Sequence, residues 1–170
     1  MEKMSAMLLL ISDLCVGCRI CELACSLKHE KVFNPNKSRI WIEYEGTPEL
    51  WNPNVCRSCG KPPCAEACPT DPKAIFRDEK RRGGMKIKED ICIQCGKCIE
   101  ACPFAGVSWH PDTKLPLVCN VCEGEPACVP VCPTEALLLG GKQMLAEEIR
   151  TDYSNAQIKK TKEGIMKKKG

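Results

Sequence analysis

The amino-acid sequence predicts an α+β fold of two similar units, built from short strands and short helices. Three observations support this prediction. Sixteen of the 170 residues are cysteine, and they recur in four groups of similar spacing. Short stretches rich in β-branched and aromatic residues lie between these groups. Without cysteine only about 35% of the chain is hydrophobic, too little for an ordinary apolar core in so short a protein. Something bound by the cysteines must therefore fill the interior, which excludes a metal-free globular enzyme.

The cysteines form four quartets. The first and third read C-x2-C-x2-C-x3-C, the second C-x2-C-x4-C-x3-C and the fourth C-x2-C-x5-C-x3-C. The quartets are Cys15, Cys18, Cys21, Cys25; Cys56, Cys59, Cys64, Cys68; Cys92, Cys95, Cys98, Cys102; and Cys119, Cys122, Cys128, Cys132. The first spacing is typical of bacterial ferredoxins, in which three neighbouring thiolates hold one [4Fe-4S] cluster and the fourth binds the other cluster. We therefore predict four [4Fe-4S] clusters.

Zinc and disulfide bonds are the alternative uses of these cysteines. Structural zinc favours paired C-x2-C knuckles separated by a longer stretch, unlike these compact quartets. Disulfide-rich domains are normally secreted, whereas the apolar run 7–11 is too short for a secretory signal. No apolar segment approaches the length of a membrane span. We expect a cytoplasmic protein with reduced thiols and no integral membrane segment; one degenerate quartet, or another metal in one site, stays open.

The segments between the quartets predict short strands. These are 8–11, 39–44, 74–76, 85–88, 107–109, 115–118 and 136–139. The third and fourth segments are predicted to form one hairpin, and the fifth and sixth another, because turn-forming residues separate the members of each pair. Short helices are expected after the fourth cysteine of each quartet, since Pro69, Pro103 and Pro133 suit the first turn of a helix.

Residues 142–170 form a basic tail with eight Lys/Arg and four Asp/Glu. The spacing of Leu145 and Ile149 predicts a helix over 142–150. The tail is a solvated terminus, a docking segment for a partner enzyme or a contact with an anionic membrane surface. The formal net charge of the chain is +3, but four clusters would add about −8, so the charge does not indicate a nucleic-acid partner.

Two arrangements of the quartets follow from spacing alone. Either adjacent quartets pair, or the middle two form a unit inserted between the outer two. Each pair would exchange its fourth cysteines, as in a two-cluster ferredoxin.

Four stretches of the sequence carry a more specific resemblance. They are C-V-G-C-R-I-C at 15–21, C-G-K-P-P-C at 59–64, C-I-Q-C-G-K-C at 92–98 and P-A-C-V-P-V-C-P-T-E-A at 126–136. Together they resemble the four-cluster electron-transfer subunits of molybdenum and tungsten bis-pterin oxidoreductases. That family includes the partners of dimethyl-sulfoxide-reductase-type enzymes and of tungsten aldehyde oxidoreductase and class II benzoyl-CoA reductase complexes. The similarity extends from about residue 8 to residue 141.

The resemblance implies the inserted arrangement of two ferredoxin-like units. Residues 1–50 and 119–141 would form the outer unit, 51–118 the inserted unit and 142–170 a helical or extended tail. The implied ligand sets are Cys15, Cys18, Cys21 with Cys132; Cys119, Cys122, Cys128 with Cys25; Cys56, Cys59, Cys64 with Cys102; and Cys92, Cys95, Cys98 with Cys68. Cys25 departs from the pattern because Ser26, not proline, follows it.

The resemblance also implies a non-catalytic role. The chain would relay single electrons between an external donor or acceptor, such as a further subunit or a ferredoxin, and a large tungsten- or molybdenum-pterin subunit. An independent polyferredoxin or a hydrogenase-associated electron carrier is the alternative. No residue is predicted to be catalytic, and His29 and His110 are expected to be structural or exposed.

Overall fold

A computed structural model describes residues 7–44, 46, 51–78 and 84–140 of the chain. The described residues form eight short strands and three α-helices. In chain order these are β1 (Met7–Leu10), α1 (Ile20–Glu30), β2 (Ile40–Tyr44), β3 (Trp51–Val55), α2 (Pro63–Glu66), β4 (Ile75–Asp78), β5 (Gly84–Ile87), α3 (Lys97–Glu100), β6 (Val107–Trp109), β7 (Pro116–Val118) and β8 (Leu137–Gly140). The basic tail and its predicted helix lie outside these residues. Among the described helices, none is long and apolar enough to cross a membrane.

Within the described residues, the strands pair into four two-stranded antiparallel sheets. Three of them join neighbours in the sequence: β2 with β3, β4 with β5 and β6 with β7. The fourth joins the ends of the described chain, because β1 pairs with β8 and Leu9 lies opposite Leu138. This pairing brings the segments that flank the first and fourth quartets together.

The predicted strands are confirmed to within a residue or two, including both hairpins. Strand β3 was missed. Pro53 lies within it, between two asparagines, and both residue types are rare in strands. Pro53 lies opposite Ile42 in the sheet of β2 and β3, which has two strands within the described residues. Each strand therefore has an unpaired edge, where a residue without an N–H is tolerated.

The predicted position of the helices is wrong. Helices α2 and α3 end before Cys68 and Cys102 instead of beginning after them. The residue before a proline is disfavoured in the α region, so Pro69 and Pro103 end each helix ahead of the cysteine. Only a few residues then remain before the next strand begins. Where Ser26 replaces the proline, helix α1 continues past the fourth cysteine of its quartet. The described residues of the fourth quartet contain no α-helix.

The interior combines a few aliphatic side chains with many cysteines. Leu8, Ile40, Val55, Ile75 and Met85 are each at most 1% exposed. Eight cysteines are buried with them: Cys21, Cys25, Cys56, Cys64, Cys68, Cys98, Cys119 and Cys128. The aliphatic residues come from the strands, so the four small sheets pack around the cysteines rather than around one large apolar core.

Candidate metal centres

The first quartet lies in a loop and on the helix that follows it. Cys15 and Cys18 precede α1, whereas Cys21 and Cys25 lie on it, one turn apart. Gly17 allows the loop to turn, with a φ of +67°, and the indole ring of Trp51 packs directly over it. The indole therefore packs against the loop at Gly17, between Cys15 and Cys18.

One cavity is lined by three cysteines of the first quartet and one of the fourth. These are Cys15, Cys18, Cys21 and Cys132, here called the Cys132 group. The backbone N–H of Ile11 donates to the carbonyl of Ala136 at 2.9 Å, extending the β1–β8 pairing to this cavity. The strand pairing thus positions Cys132 beside the first loop.

A second cavity has the same composition but draws on the second and third quartets. It is lined by Cys92, Cys95, Cys98 and Cys68, the Cys68 group. The hydroxyl of Thr70 lies 3.2 Å from the Cys68 sulfur and also accepts the backbone N–H of Ala74 at 2.8 Å. The turn after Cys68 therefore holds that sulfur towards the third quartet.

Two further groups are identified by cysteines whose thiols raise one another's pKa. The first contains Cys56, Cys59, Cys64 and Cys102, the Cys102 group. Burial raises the pKa of Cys56 to about 11, and the neighbouring Cys59 and Cys102 thiols contribute to the rise. The backbone N–H of Gly106 donates to the Cys102 sulfur at 3.2 Å.

The last group joins the fourth quartet to helix α1. It contains Cys119, Cys122, Cys128 and Cys25, the Cys25 group. Burial raises the pKa of Cys128 to about 12, with the Cys25 and Cys122 thiols adding to it. Cys25 accepts the backbone N–H of Arg39 at 3.3 Å, and Cys119 accepts that of Val121 at 3.4 Å. Backbone N–H groups thus point at sulfur in this group as in the Cys102 group.

Each of the four groups has a thiol close enough to affect a thiol of another group. At three places a thiol of one group raises the pKa of a thiol in another group, although burial raises that pKa more. The pairs are Cys21 with Cys128, Cys56 with Cys119 and Cys64 with Cys98. The order is therefore Cys132 group, Cys25 group, Cys102 group and Cys68 group. The second cysteines of the two end groups, Cys18 and Cys95, are exposed.

The electrostatics of the thiols differ with position. Burial raises the pKa of Cys21 to about 12 and that of Cys119 well above its ordinary value. Burial also opposes ionisation of Cys68, but hydrogen bonds from Thr70 and the following backbone outweigh it and lower the pKa to about 7. Similar hydrogen bonds lower the pKa of Cys132 against the effect of burial. Buried thiolates are costly unless a cation compensates them, which iron does on binding.

The residues fit [4Fe-4S] clusters. All sixteen cysteines are free thiols. In the described part of the chain, no three His, Cys, Asp or Glu side chains are placed to hold one metal ion. A [4Fe-4S] cluster takes one thiolate at each of four iron atoms, so its ligands surround a body larger than an ion. Two four-cysteine cavities, and N–H groups directed at sulfur, match that requirement.

The two histidines have different surroundings. His110 is 7% exposed, and its Nδ1 accepts the backbone N–H groups of Asp112 and Thr113 at 3.2 Å each. His29 is half-buried, and its Nε2 lies 3.4 Å from the Cys122 sulfur. Sequence reasoning missed this contact. The available signal was the spacing of four residues between Cys25 and His29, which places both on one face of a helix.

Comparisons with known proteins identify iron–sulfur domains in this chain. A "4Fe-4S dicluster domain" model matches residues 49–142, and a "4Fe-4S binding domain" model matches residues 12–28. The polyferredoxin-like subunit of an aliphatic sulfonate oxidoreductase from Pyrococcus furiosus is 39% identical, over 74% of this chain and 70% of that protein. A subunit of the polysulfide reductase from Wolinella succinogenes is 34% identical, over 75% of this chain and 72% of that protein.

A third relative, the electron transport protein HydN of Escherichia coli, is 30% identical over 78% of this chain and 86% of that protein. The two matched domains together contain all four quartets, and the resemblance to iron–sulfur electron-transfer subunits is confirmed. The chain therefore belongs to the 4Fe-4S dicluster family of iron–sulfur proteins, alongside polyferredoxin-like and reductase subunits.

Proposed function

We propose that this chain is a non-catalytic electron-transfer subunit that carries four [4Fe-4S] clusters. It would relay single electrons between an external donor or acceptor and a catalytic tungsten- or molybdenum-pterin subunit. The observation that carries the proposal is the gathering of all sixteen cysteines into four groups of four. Relatives described as subunits of sulfonate oxidoreductase and polysulfide reductase support a role within such a complex.

The proposed ligand sets are the four groups defined above. Each set takes three cysteines from one quartet and the fourth from another. The pairing of β1 with β8 supports the crossing of Cys132 to the first quartet. It also supports an outer unit of residues 1–50 and 119–141 around an inserted unit of residues 51–118. Helix α1 supports the opposite crossing, because Cys25 lies one turn beyond Cys21 and reaches the fourth quartet.

When bound, a [4Fe-4S] cluster accepts or releases one electron with little structural change. The chain's own residues hold it, shield it and adjust its surroundings. Eight buried cysteines and the aliphatic side chains around them exclude water. N–H groups such as those of Arg39 and Gly106 stabilise negative charge on sulfur. The exposed Cys18 and Cys95 place the two end groups at the surface, where redox partners would approach.

A second candidate is an independent electron carrier. The relative HydN is described as an electron transport protein rather than as a subunit. Such a protein would use the same cysteines but would form no lasting complex.

We also propose a cytoplasmic location, since sixteen free thiols suit a reducing compartment.

Metal analysis of the anaerobically purified protein, with the proteins that accompany it, tests this proposal. We expect about sixteen iron atoms per chain once the partner's own iron is subtracted, and tungsten or molybdenum in the partner. About eight iron atoms or fewer, or zinc in place of iron, would refute the four-cluster proposal. Iron at the full level without a large partner would favour the independent carrier, and nickel would indicate a hydrogenase.

Double variants test the ligand sets, because two substitutions in one set remove one cluster and two in different sets remove two. Cys25→Ser with Cys122→Ser should leave about twelve iron atoms per chain. Cys21→Ser with Cys122→Ser is the matched control, since Cys21 lies one helical turn away, and should leave about eight. About eight iron atoms in both double variants would overturn the assignment of Cys25.

A further inference from the structure

Helix α1 presents three side chains to the metal centres at regular intervals. Cys21, Cys25 and His29 follow one another at four-residue spacing, so they lie on one face of the helix. Cys21 belongs to the Cys132 group and Cys25 to the Cys25 group. His29 is the next position on that face, in the last turn of the helix. Its placement follows directly from the placement of the two cysteines.

The His29 ring reaches the same group as Cys25 but at a different cysteine. Its Nε2 lies 3.4 Å from the sulfur of Cys122, a residue 93 positions away in the sequence. A cysteine bound to iron is a thiolate and has no proton to donate. The contact is therefore a hydrogen bond only if His29 carries its proton on Nε2 and donates it to sulfur.

A hydrogen bond to a ligand sulfur affects the two redox states unequally. Reduction adds one negative charge to a cluster, and that charge is shared with the thiolate sulfurs. A donor directed at sulfur stabilises the reduced state more than the oxidised state and raises the midpoint potential.

The second cysteines of the other groups have different neighbours. Cys18 and Cys95 are exposed. The carbonyl group of Cys59, rather than its sulfur, accepts a hydrogen bond from Arg77 Nη1 at 2.8 Å. In the described residues, a histidine thus contacts sulfur in the Cys25 group, whereas threonines contact sulfur in the Cys68 and Cys132 groups.

We propose that His29 raises the midpoint potential of the cluster held by the Cys25 group, by donating its Nε2–H to the Cys122 sulfur. His29 is a positioning residue rather than a ligand, and the proposal rests on the proposed function. The hydrogen bond gives the cluster of the Cys25 group a higher midpoint potential than its cysteines alone would give it. His29 would thereby shift the distribution of an electron among the clusters towards this one.

Redox titration of the whole protein, followed by electron paramagnetic resonance, tests this proposal. His29→Phe keeps a planar ring but removes the donor, and we expect the midpoint potential of one cluster to fall while the other three stay unchanged. His29→Gln retains an N–H donor at a similar reach and should restore most of the shift. Unchanged potentials in His29→Phe would overturn the proposal, as would an equal shift of all four clusters.

A spectroscopic measurement on the unsubstituted protein guards against a variant that fails to fold. The chain has two histidines, so ¹⁵N-histidine labelling reports on few sites. We expect a weak ¹⁵N coupling to one reduced cluster. It should vanish in His29→Gln, whose amide nitrogen is unlabelled, and persist in His110→Asn, which keeps an acceptor for Asp112 and Thr113. A coupling that survives His29→Gln, or none in the unsubstituted protein, would contradict the proposal.

Iron content separates the two possible failures. If the unsubstituted protein lacks four clusters, the proposed function fails and the role of His29 falls with it. If the iron content is complete and the potentials ignore position 29, only the role of His29 is refuted.

Discussion

The loop of the first quartet leaves no room for a side chain at Gly17. A Cβ atom built there would lie 2.3 Å from Cδ2 of Trp51, well inside van der Waals contact. Tyr44 packs against the same indole, with ring centroids 4.8 Å apart, which limits how far the indole moves aside. We therefore predict that Gly17→Ala destabilises the cluster-loaded protein.

The magnitude follows from two costs. Residue 17 has a φ of +67°, and an L-residue in that region costs about 1–2 kcal/mol. Forcing a methyl group into a packed site costs about 1–3 kcal/mol more. Gly96 is the matched control, because its φ is +76° but its Cβ would lie 3.0 Å from the partly exposed Trp109. Gly96→Ala should therefore cost little beyond the backbone contribution of about 1–2 kcal/mol, because the Trp109 ring, at the surface, needs to shift only slightly.

Loss of visible cluster absorbance in urea, measured anaerobically, provides the assay. If the clash is relieved when the loop opens, Gly17→Ala should lose absorbance faster than Gly96→Ala, by roughly 5- to 100-fold. In a Trp51→Leu background, Gly17→Ala should add only the backbone cost. Equal rates for the two alanine variants, or the same cost of Gly17→Ala with and without Trp51, would refute the packing explanation.

Three further predictions concern other parts of the molecule. Glu22 is 2% exposed and accepts the backbone N–H of Ile42 at 2.7 Å; Glu22→Leu should cost about 1–3 kcal/mol in urea unfolding and Glu22→Gln clearly less. Thr70→Val should lower the midpoint potential of the cluster bound by Cys68. Thr134→Val should lower the potential of the cluster bound by Cys132 by a smaller amount, because the Thr134 hydroxyl lies 3.9 Å from sulfur and the Thr70 hydroxyl 3.2 Å. Equal shifts in the two variants would contradict this. Removing iron with a chelator should abolish the compact fold, since eight cysteines lie in the interior; retention of native circular dichroism and of resistance to protease would show that the apolar residues suffice.

Much of the fold is predictable because the cysteine quartets mark where strands begin and end along the chain. Each predicted strand follows or precedes a cysteine quartet, and β-branched and aromatic residues together are abundant in strands such as β2 and β6. Strand β3 was not predictable, since Pro53 and its flanking asparagines oppose a strand until β2 pairs with them. The helices were misplaced because proline allows two interpretations, the start of a helix or the end of one. The steric effect of Pro69 and Pro103 on the preceding cysteine decides for the end.

The candidate site is predictable at the level of residue type but not of partnership. Spacing alone identifies the sixteen cysteines as ligand candidates and leaves open which quartets join. The choice depends on contacts between distant segments, such as β1 with β8, which no local pattern encodes. The contact of His29 with Cys122 was missed for the same reason, since one partner lies on helix α1 and the other in the fourth quartet.

The pairing of the first described strand with the last has a consequence for synthesis on the ribosome. A nascent chain that has passed Cys102 contains every cysteine of the Cys102 and Cys68 groups. The Cys132 group is complete only after about thirty more residues. Those residues take a few seconds at ordinary elongation rates. On the proposed ligand sets, the inserted unit is thus the first that can receive its clusters. The four cysteines at its flank, Cys15, Cys18, Cys21 and Cys25, must meanwhile remain reduced and uncommitted.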